Sequence, residues 1–222
     1  MLIRFAGEIF EPLVSGALYW AAQDMLLVAD LHLDKMASFA RRGQMLPPYD
    51  TAATLKRLEA DILRTGAKIV LALGDSFHRD DSVAHLSDLD RARLDGLTER
   101  CDWIWLAGNH DSTAHELGGL CLARFEHAGL SFLHEPQRGI AGLVSGHLHP
   151  AARVAVDGRS VRRPCFVHDN RQMILPAYGV STGTLNILSP AFAGLLRRDA
   201  LEVAMLARER VYPVSTKRLV AG

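Results

Sequence analysis

Apolar residues in this chain keep two rhythms. Met25–Ala29, Lys68–Leu73 and Trp103–Ala107 are short runs, apolar at nearly every position, and they predict strands buried on both faces. Between them, Leu55, Leu58, Ile62 and Leu63 recur at helical spacing within Thr51–Arg64, and Leu86, Leu89, Leu94 and Leu97 do so within His85–Glu99. Strand and helix alternate through this half, which is the signature of an α/β layer. Ahead of it, Leu2–Phe10 and Ala17–Ala22 read as a β-hairpin around Glu11–Gly16. The second half is richer in short strands, Gly142–Ser145, Arg153–Val156, Cys165–His168 and Met173–Leu175, and they predict a second sheet packed on the first. The expected architecture is α/β, a two-sheet β-sandwich flanked by helices (α/β/β/α). No repeat, low-complexity run or linker divides it, so residues 1–222 are read as a single domain.

Polar chemistry gathers where these apolar runs end. Asp30-Leu31-His32 follows Met25–Ala29, Gly74-Asp75-Ser76-Phe77-His78 follows Lys68–Leu73, Gly108-Asn109-His110-Asp111 follows Trp103–Ala107, and Gly146-His147-Leu148-His149 follows Gly142–Ser145. In open α/β sheets, ligands bind beyond the carboxyl ends of the strands, where separate chain segments converge. In extended chain, the i, i+2 spacing of Asp30 with His32, and of His147 with His149, puts each pair on one face. Gly74, Gly108 and Gly146 would let the backbone turn off its strand or approach a ligand closely. A purely structural origin would need a buried partner for every one of these polar groups. Together the four clusters point to a metal site.

His110 stands beside Asn109 and should face the same cleft, where an imidazole near its ordinary pKa can protonate a departing alkoxide, worth roughly 10²–10⁴ in rate. Asp111 either orients that ring or caps a helix with Ser112 and Thr113 nearby. With imidazoles, carboxylates and one amide but no thiolate, the cluster suits manganese, iron or zinc. Cys101, Cys121 and Cys165 have no C-x-x-C spacing and an odd count, so reduced, mostly buried thiols are expected.

The 25 basic and 25 acidic residues cancel, unlike the footprint of a tight duplex binder, so any nucleic-acid groove must be local. Arg41-Arg42 and Arg162-Arg163 are the best placed candidates, whereas Arg197-Arg198 and Arg208–Arg210 read as solvated helical faces. No run approaches the ~20 apolar residues of a membrane span and Met1–Phe5 lacks a signal-peptide shape, so no membrane is expected as partner and a cytoplasmic location is.

The ordered series Asp-x-His, Gly-Asp, Gly-Asn-His-Asp, an isolated His and Gly-His-x-His resembles the calcineurin-like metallophosphoesterases. For the isolated His, His134 is preferred because Leu130–Pro136 reads as a short strand ending in a turn. His127 falls in Phe125–Ala128, which looks like a helix end, and His115 in a loop. The resemblance implies the metallophosphoesterase-type sandwich and two divalent ions, manganese favoured. It makes Asp30, His32 and His149 ligands of one ion, Asn109, His134 and His147 ligands of the other, and Asp75 the bridge. It further implies a metal-bound hydroxide as nucleophile, and it leaves His110, which it does not use as a ligand, free to be the general acid. His78 replaces the acidic or amide residue common in the superfamily, and either contacts the substrate phosphate or hydrogen-bonds a ligand.

A narrower resemblance runs along nearly the whole chain. Val28–Leu33, Phe39, Arg41–Gly43, Leu73–His78, Arg163–Phe166 and Ile174–Gly179 with Thr182-Gly183 are similar to bacterial ligase-associated DNA damage response endonucleases. Asp34 and Thr184 depart from that pattern. The resemblance implies a DNA endonuclease in DNA repair, in functional association with a DNA ligase, a helicase and a second nuclease, and the zero net charge suggests single-stranded or flexible DNA as its substrate. A hydrolase of small nucleotide or lipid-precursor phosphoesters uses the same residues, and a noncatalytic scaffold ranks last because every ligand position is kept.

Overall fold

The computed structural model describes residues 1–156 and 158–221. Among them, β1 (Ile3–Phe5), β2 (Glu8–Pro12), β3 (Leu18–Trp20), β4 (Met25–Val28), β5 (Ile69–Ala72), β6 (Asp102–Leu106) and β7 (Leu120–Leu122) lie side by side in that order as one sheet. The second sheet holds β8 (Phe125–His127), β9 (Leu130–Phe132), β10 (Leu143–Ser145), β11 (Pro150–Val156), β12 (Arg159–His168), β13 (Gln172–Ile174) and β14 (Leu185–Asn186), in the order β14-β11-β12-β13-β10-β9-β8. To it β15 (Glu202–Leu206) adds along β12, and β16 (Val211–Val214) along β15. In the first sheet β4, β5, β6 and β7 run parallel, so their carboxyl ends emerge on one edge. β10 is parallel to both β9 and β13, and its carboxyl end leads to His147, whose N–H meets the Asp30 carboxylate beyond β4.

The two sheets close on each other over Phe10, Leu18, Trp20, Leu27, Leu71, Phe132, Val144, Phe166 and Met173, all fully buried. Each such side chain contributes roughly 1.5–3 kcal/mol through removal from water. The outer face of the first sheet packs Leu26, Val28, Val70 and Trp103 against helices α2 (Asp50–Thr65) and α3 (Asp88–Arg100), while the short α1 (Lys35–Arg41) lies ahead of them in the chain. Leu55, Leu58 and Ile62 of α2 form the expected buried stripe, and the helix stops at Gly66, whose φ of 67° suits a residue without a β-carbon.

Several expectations are corrected here. Ala6 and Gly7 both take positive φ, which splits Leu2–Phe10 into two paired strands, and the predicted hairpin is a three-stranded meander. α3 starts at Asp88, three residues beyond the predicted His85 start, and is capped by Ser87, whose hydroxyl accepts from the Asp90 backbone N–H. Leu63 and Leu89 are exposed rather than inward. Phe125–His127 is a strand, turned back on β9 through Ala128 and Gly129, both of positive φ, and not a helix end. The far face of the second sheet carries 3₁₀ turns at Pro190–Phe192 and Arg198–Ala200 where a helical layer was expected. Arg197 pairs with Asp199 beside the second of these turns and is not on a helix. Among the described residues, no helix is long and apolar enough to cross a membrane.

Candidate metal centre

Loops leaving β4 and β5 are laced together by backbone hydrogen bonds: Asp30 N–H donates to Gly74 O, His32 N–H to Asp75 O, Leu33 N–H to Ser76 O, and His78 N–H returns to Leu33 O. From the other sheet, Gly146 N–H donates to His134 O and His147 N–H reaches the Asp30 carboxylate at 3.0 Å. Loop 176–179 backs this arrangement, with Tyr178 N–H on Ala29 O and Gly179 N–H on Asp30 O. Asp30, His32, Asp75, His147 and His149 all have positive φ, between 45° and 69°. Such backbone is strained for residues with a β-carbon and persists only where surrounding contacts over-determine it. The extended-chain geometry suggested by the i, i+2 spacing is therefore not what aligns Asp30 with His32; tight left-handed turns do so. Gly74 has the turn expected of it (φ 83°), while Gly108 and Gly146 serve close approach, since a β-carbon would meet Asp75 N at 2.2 Å and Asp30 Oδ2 at 2.7 Å respectively.

The result is two adjoining clusters joined by a third, overlapping group of His32, Asp75 and His110. In one, Asp30, His32 and His149 bring ligand atoms within 4.8 Å of one another; in the other, Asp75, His134 and His147 do so. Asn109 Oδ1 adds to the second cluster, 3.0 Å from His134 Nε2. His134 Nδ1 donates to Leu73 O at 2.9 Å, so in the neutral ring its Nε2 presents a lone pair. Around that lone pair stand Asn109 Oδ1, Asp75 Oδ1 at 3.4 Å and His147 Nδ1 at 3.1 Å. His149 repeats the arrangement, its Nδ1 donating to Gly183 O and its Nε2 facing Asp30 Oδ1 at 3.4 Å. Acceptors converging on acceptors need a positive charge between them, a proton or a metal ion, and a backbone carbonyl that fixes the ring tautomer is the usual outer partner of a metal-bound imidazole. His32 is the sharpest case, with both ring nitrogens buried and, among the described residues, without a hydrogen-bond partner, the Asp75 carboxylate being 3.7 Å from Nε2. The residues present thus fit a pair of metal ions.

Protonation follows the same geometry. Burial works against a charged His134, but its hydrogen bond to Asp75 and the charges of Asp30 and Asp75 outweigh it and hold the ring up at about 9. Asp75, although burial favours its neutral form, is held at about 2 by the hydrogen bond and charge of His134 and by the His110 N–H. Burial pushes His32 down to about 3 despite Asp75.

His110 donates its backbone N–H to Asp75 Oδ1, its Nδ1 lies 3.2 Å from His78 O, and its ring stacks on His78. Asp111 is placed otherwise than expected. Its carboxylate accepts from Phe77 N–H and Gly108 N–H, bracing the two loops, and no helix follows it to be capped. Burial raises it to about 7, against the backbone donors that favour the charged form. His78 has a buried Nδ1 without a partner, so a hydrogen bond from it to a ligand residue is absent among the described contacts. Its ring lies between Phe39 and His110, on the wall of both a cavity of about 160 Å³ over the clusters and an adjoining cleft of about 390 Å³. His127 bonds Gln23 and His115 packs on Trp105 and Phe77, both outside the clusters. Arg41 is committed to the buried carboxylate of Asp34, at 2.5 and 2.9 Å, which removes it as a free anion contact.

One residue escaped the reading of the sequence. Lys35 opens α1 and lines the small cavity together with His32, Asp75, His78, Asn109 and His110. Its place just behind Asp-x-His was the available signal, and without knowledge that α1 folds back over the site it pointed nowhere.

A family model described as calcineurin-like phosphoesterase matches residues 25–149, more than half of the chain. Comparison with curated proteins finds no match. Among solved structures, the chain is similar to a nuclease MPE of Pseudomonas putida, at 27% identity over 96% of this chain and 99% of that one, with a TM-score of 0.74. A phosphoesterase of E. coli, Yfce, aligns over 89% of this chain and 96% of that one, at 14% identity and a TM-score of 0.40.

Proposed function

This chain belongs to the calcineurin-like phosphoesterase family, and from that premise we propose that it is a two-metal phosphodiesterase that cleaves DNA internally. The observation that carries the metal chemistry is the buried convergence of unpaired acceptors, His32 above all. Asp30, His32 and His149 would hold one ion and Asn109, His134 and His147 the other, with Asp75 between them. Ions so held supply Lewis acidity to a phosphoryl oxygen and acidify a water, and the donor set suits manganese, with iron or zinc as substitutes.

His110 donates the proton to the departing oxygen. The His78 carbonyl beside its Nδ1 fixes the ring so that Nε2 stays on the cleft side, 4.0 Å from Asp75 Oδ2. Asp111 acts at one remove, holding the Gly74–His78 and Gly108 turns in register. Lys35 gives the small cavity a cation for the phosphate, and His78, which burial keeps neutral, forms the wall between that cavity and the adjoining cleft. The nuclease reading is supported by the similarity, along nearly all of both chains, to the Pseudomonas putida nuclease. Work in DNA repair beside a ligase, a helicase and a second nuclease belongs to this proposal through the narrower resemblance.

The test is to incubate metal-stripped protein with manganese and a covalently closed single-stranded DNA circle, with Asp75→Ala as control. Ring opening by the wild type alone is expected. Intact circles beside Asp75-dependent cleavage of bis-p-nitrophenyl phosphate would transfer the site to a small phosphodiester.

A further inference from the structure

Among the described residues six arginines pair with carboxylates, Arg41 with Asp34, Arg64 with Glu11 and Arg91 with Asp95 among them. No arginine of the β11–β12 ribbon does, and there the arginines are gathered on adjoining strands. Residues 150–168 contain Arg153, Arg159, Arg162 and Arg163 against one acidic residue, Asp157, which lies outside the described residues. In the ribbon's register Arg153 stands directly opposite Arg162, a like-charge pairing that destabilises a sheet. Neither is neutralised among the described residues: Arg153 bonds the Ser160 hydroxyl at 2.8 and 3.0 Å, and Arg162 donates to Thr184 O. The bridge of Val154 to Leu219, with Val220 N–H on Arg153 O, brings the turn of Lys217 and Arg218 to the same edge. For a chain of zero net charge this is a local concentration of cations.

The ribbon is also joined to the metal centre. β11 begins at the residue after His149, and at ~3.3 Å per residue Arg153 lies roughly 13 Å from His149 along the chain. Thr184, which Arg162 grips, follows Gly183, whose carbonyl holds His149 Nδ1. We propose that the β11–β12 ribbon is a phosphate-binding arm that holds a single polynucleotide strand where it leaves the metal cleft, an inference that rests on the polynucleotide substrate proposed above. The paired arginines tolerate each other because a backbone phosphate sits between them, and the arm reads charge rather than sequence.

The test compares wild type, R153Q/R162Q and R153K/R162K, each loaded with manganese, on three substrates: bis-p-nitrophenyl phosphate, a dinucleotide, and an oligothymidylate of about 12 nucleotides, long enough to span the arm. The glutamine variant should lose at least tenfold more kcat/KM on the oligonucleotide than on the nitrophenyl diester or the dinucleotide, and the lysine variant should keep most of it. Anisotropy of the labelled oligonucleotide on metal-free protein should show weaker binding by the glutamine variant and a salt slope smaller by about 1.4, two contacts at about 0.7 each. Equal losses on all three substrates, or unchanged oligonucleotide binding, would overturn the arm. If the wild type cleaves the nitrophenyl diester in an Asp75-dependent way but no polynucleotide, the proposed substrate fails. The arm is then judged by the anisotropy alone, and loss of binding in the glutamine variant with retention in the lysine variant sustains it.

Discussion

His32 and His134 sit in adjoining halves of one cluster, are buried alike at 3% and 5% exposure, and are held in opposite ways. His134 has its Nδ1–H fixed by Leu73 O and its Nε2 enclosed by Asn109, Asp75 and His147, so that half lacks only a positive charge at its centre. A proton can supply that charge when no metal is present, which is why the ring is held up at about 9. His32 has no partner for either nitrogen, and burial holds it near 3, so a proton does not replace a metal there at neutral pH. An orphaned buried polar group costs about 1–3 kcal/mol. One half of the centre is therefore already satisfied by the protein, while the other is kept open for a ligand at a cost to the fold.

Removing what the halves share should produce the largest effect. Asp75 touches His134, His32 and the His110 backbone, and Asp75→Ala should take hydrolysis of bis-p-nitrophenyl phosphate to background, well beyond the ~10–100-fold typical of losing an outer partner. Metal content measured on the same preparation should fall for both ions, and a variant with full activity would remove the site. The next effect is narrower. His110 reaches over the open half, its ring 5.1 Å from His32, and His110→Ala should slow esters with poor leaving groups by roughly 10²-fold or more. Nitrophenyl esters, which need little protonation on departure, should lose far less. Equal losses on both classes would deny the ring its role as proton donor.

The strands that carry the centre were readable because β4, β5, β6 and β10 are buried on both faces and so nearly uniform in composition. The polar residues at their ends were readable for the converse reason, since nothing structural calls for Asp, His and Asn there. What the sequence hid was set by distant partners. The positive φ of Asp30 and His32 is imposed by hydrogen bonds to Gly74, Asp75 and Ser76, more than forty residues away. Asp34 looked like a departure from pattern until Arg41 proved to be its partner, and Asp111 looked free to orient His110 until the Phe77 and Gly108 amides claimed it. β8 and the split of Leu2–Phe10 both turn on an Ala-Gly pair in which the alanine, too, has positive φ, a choice that local propensity disfavours.

The difference between the two histidines is measurable without any activity. In metal-stripped protein, His134→Ala removes the bond to Leu73 and leaves Asp75 buried without its cationic partner, a loss of about 3 kcal/mol by comparison with other broken buried pairs. For a chain of this size that is a fall in Tm of roughly 6–12 °C, at ~2–4 °C per kcal/mol. His32→Ala removes two nitrogens that had no partner among the described residues, and the relief offsets the cavity left by the ring, so the metal-free stability should stay within about 1 kcal/mol of the wild type, a shift in Tm of no more than ~2–4 °C. Added manganese reverses the ranking of costs for His32. The wild type gains about 2.7 kcal/mol at each site filled at a hundredfold excess over Kd, and the alanine variant loses that gain at the open half. Thermal scans of the three proteins with and without manganese decide the matter. If both variants melt equally early without metal, the open half is as well satisfied as the closed one and the contrast between them is gone.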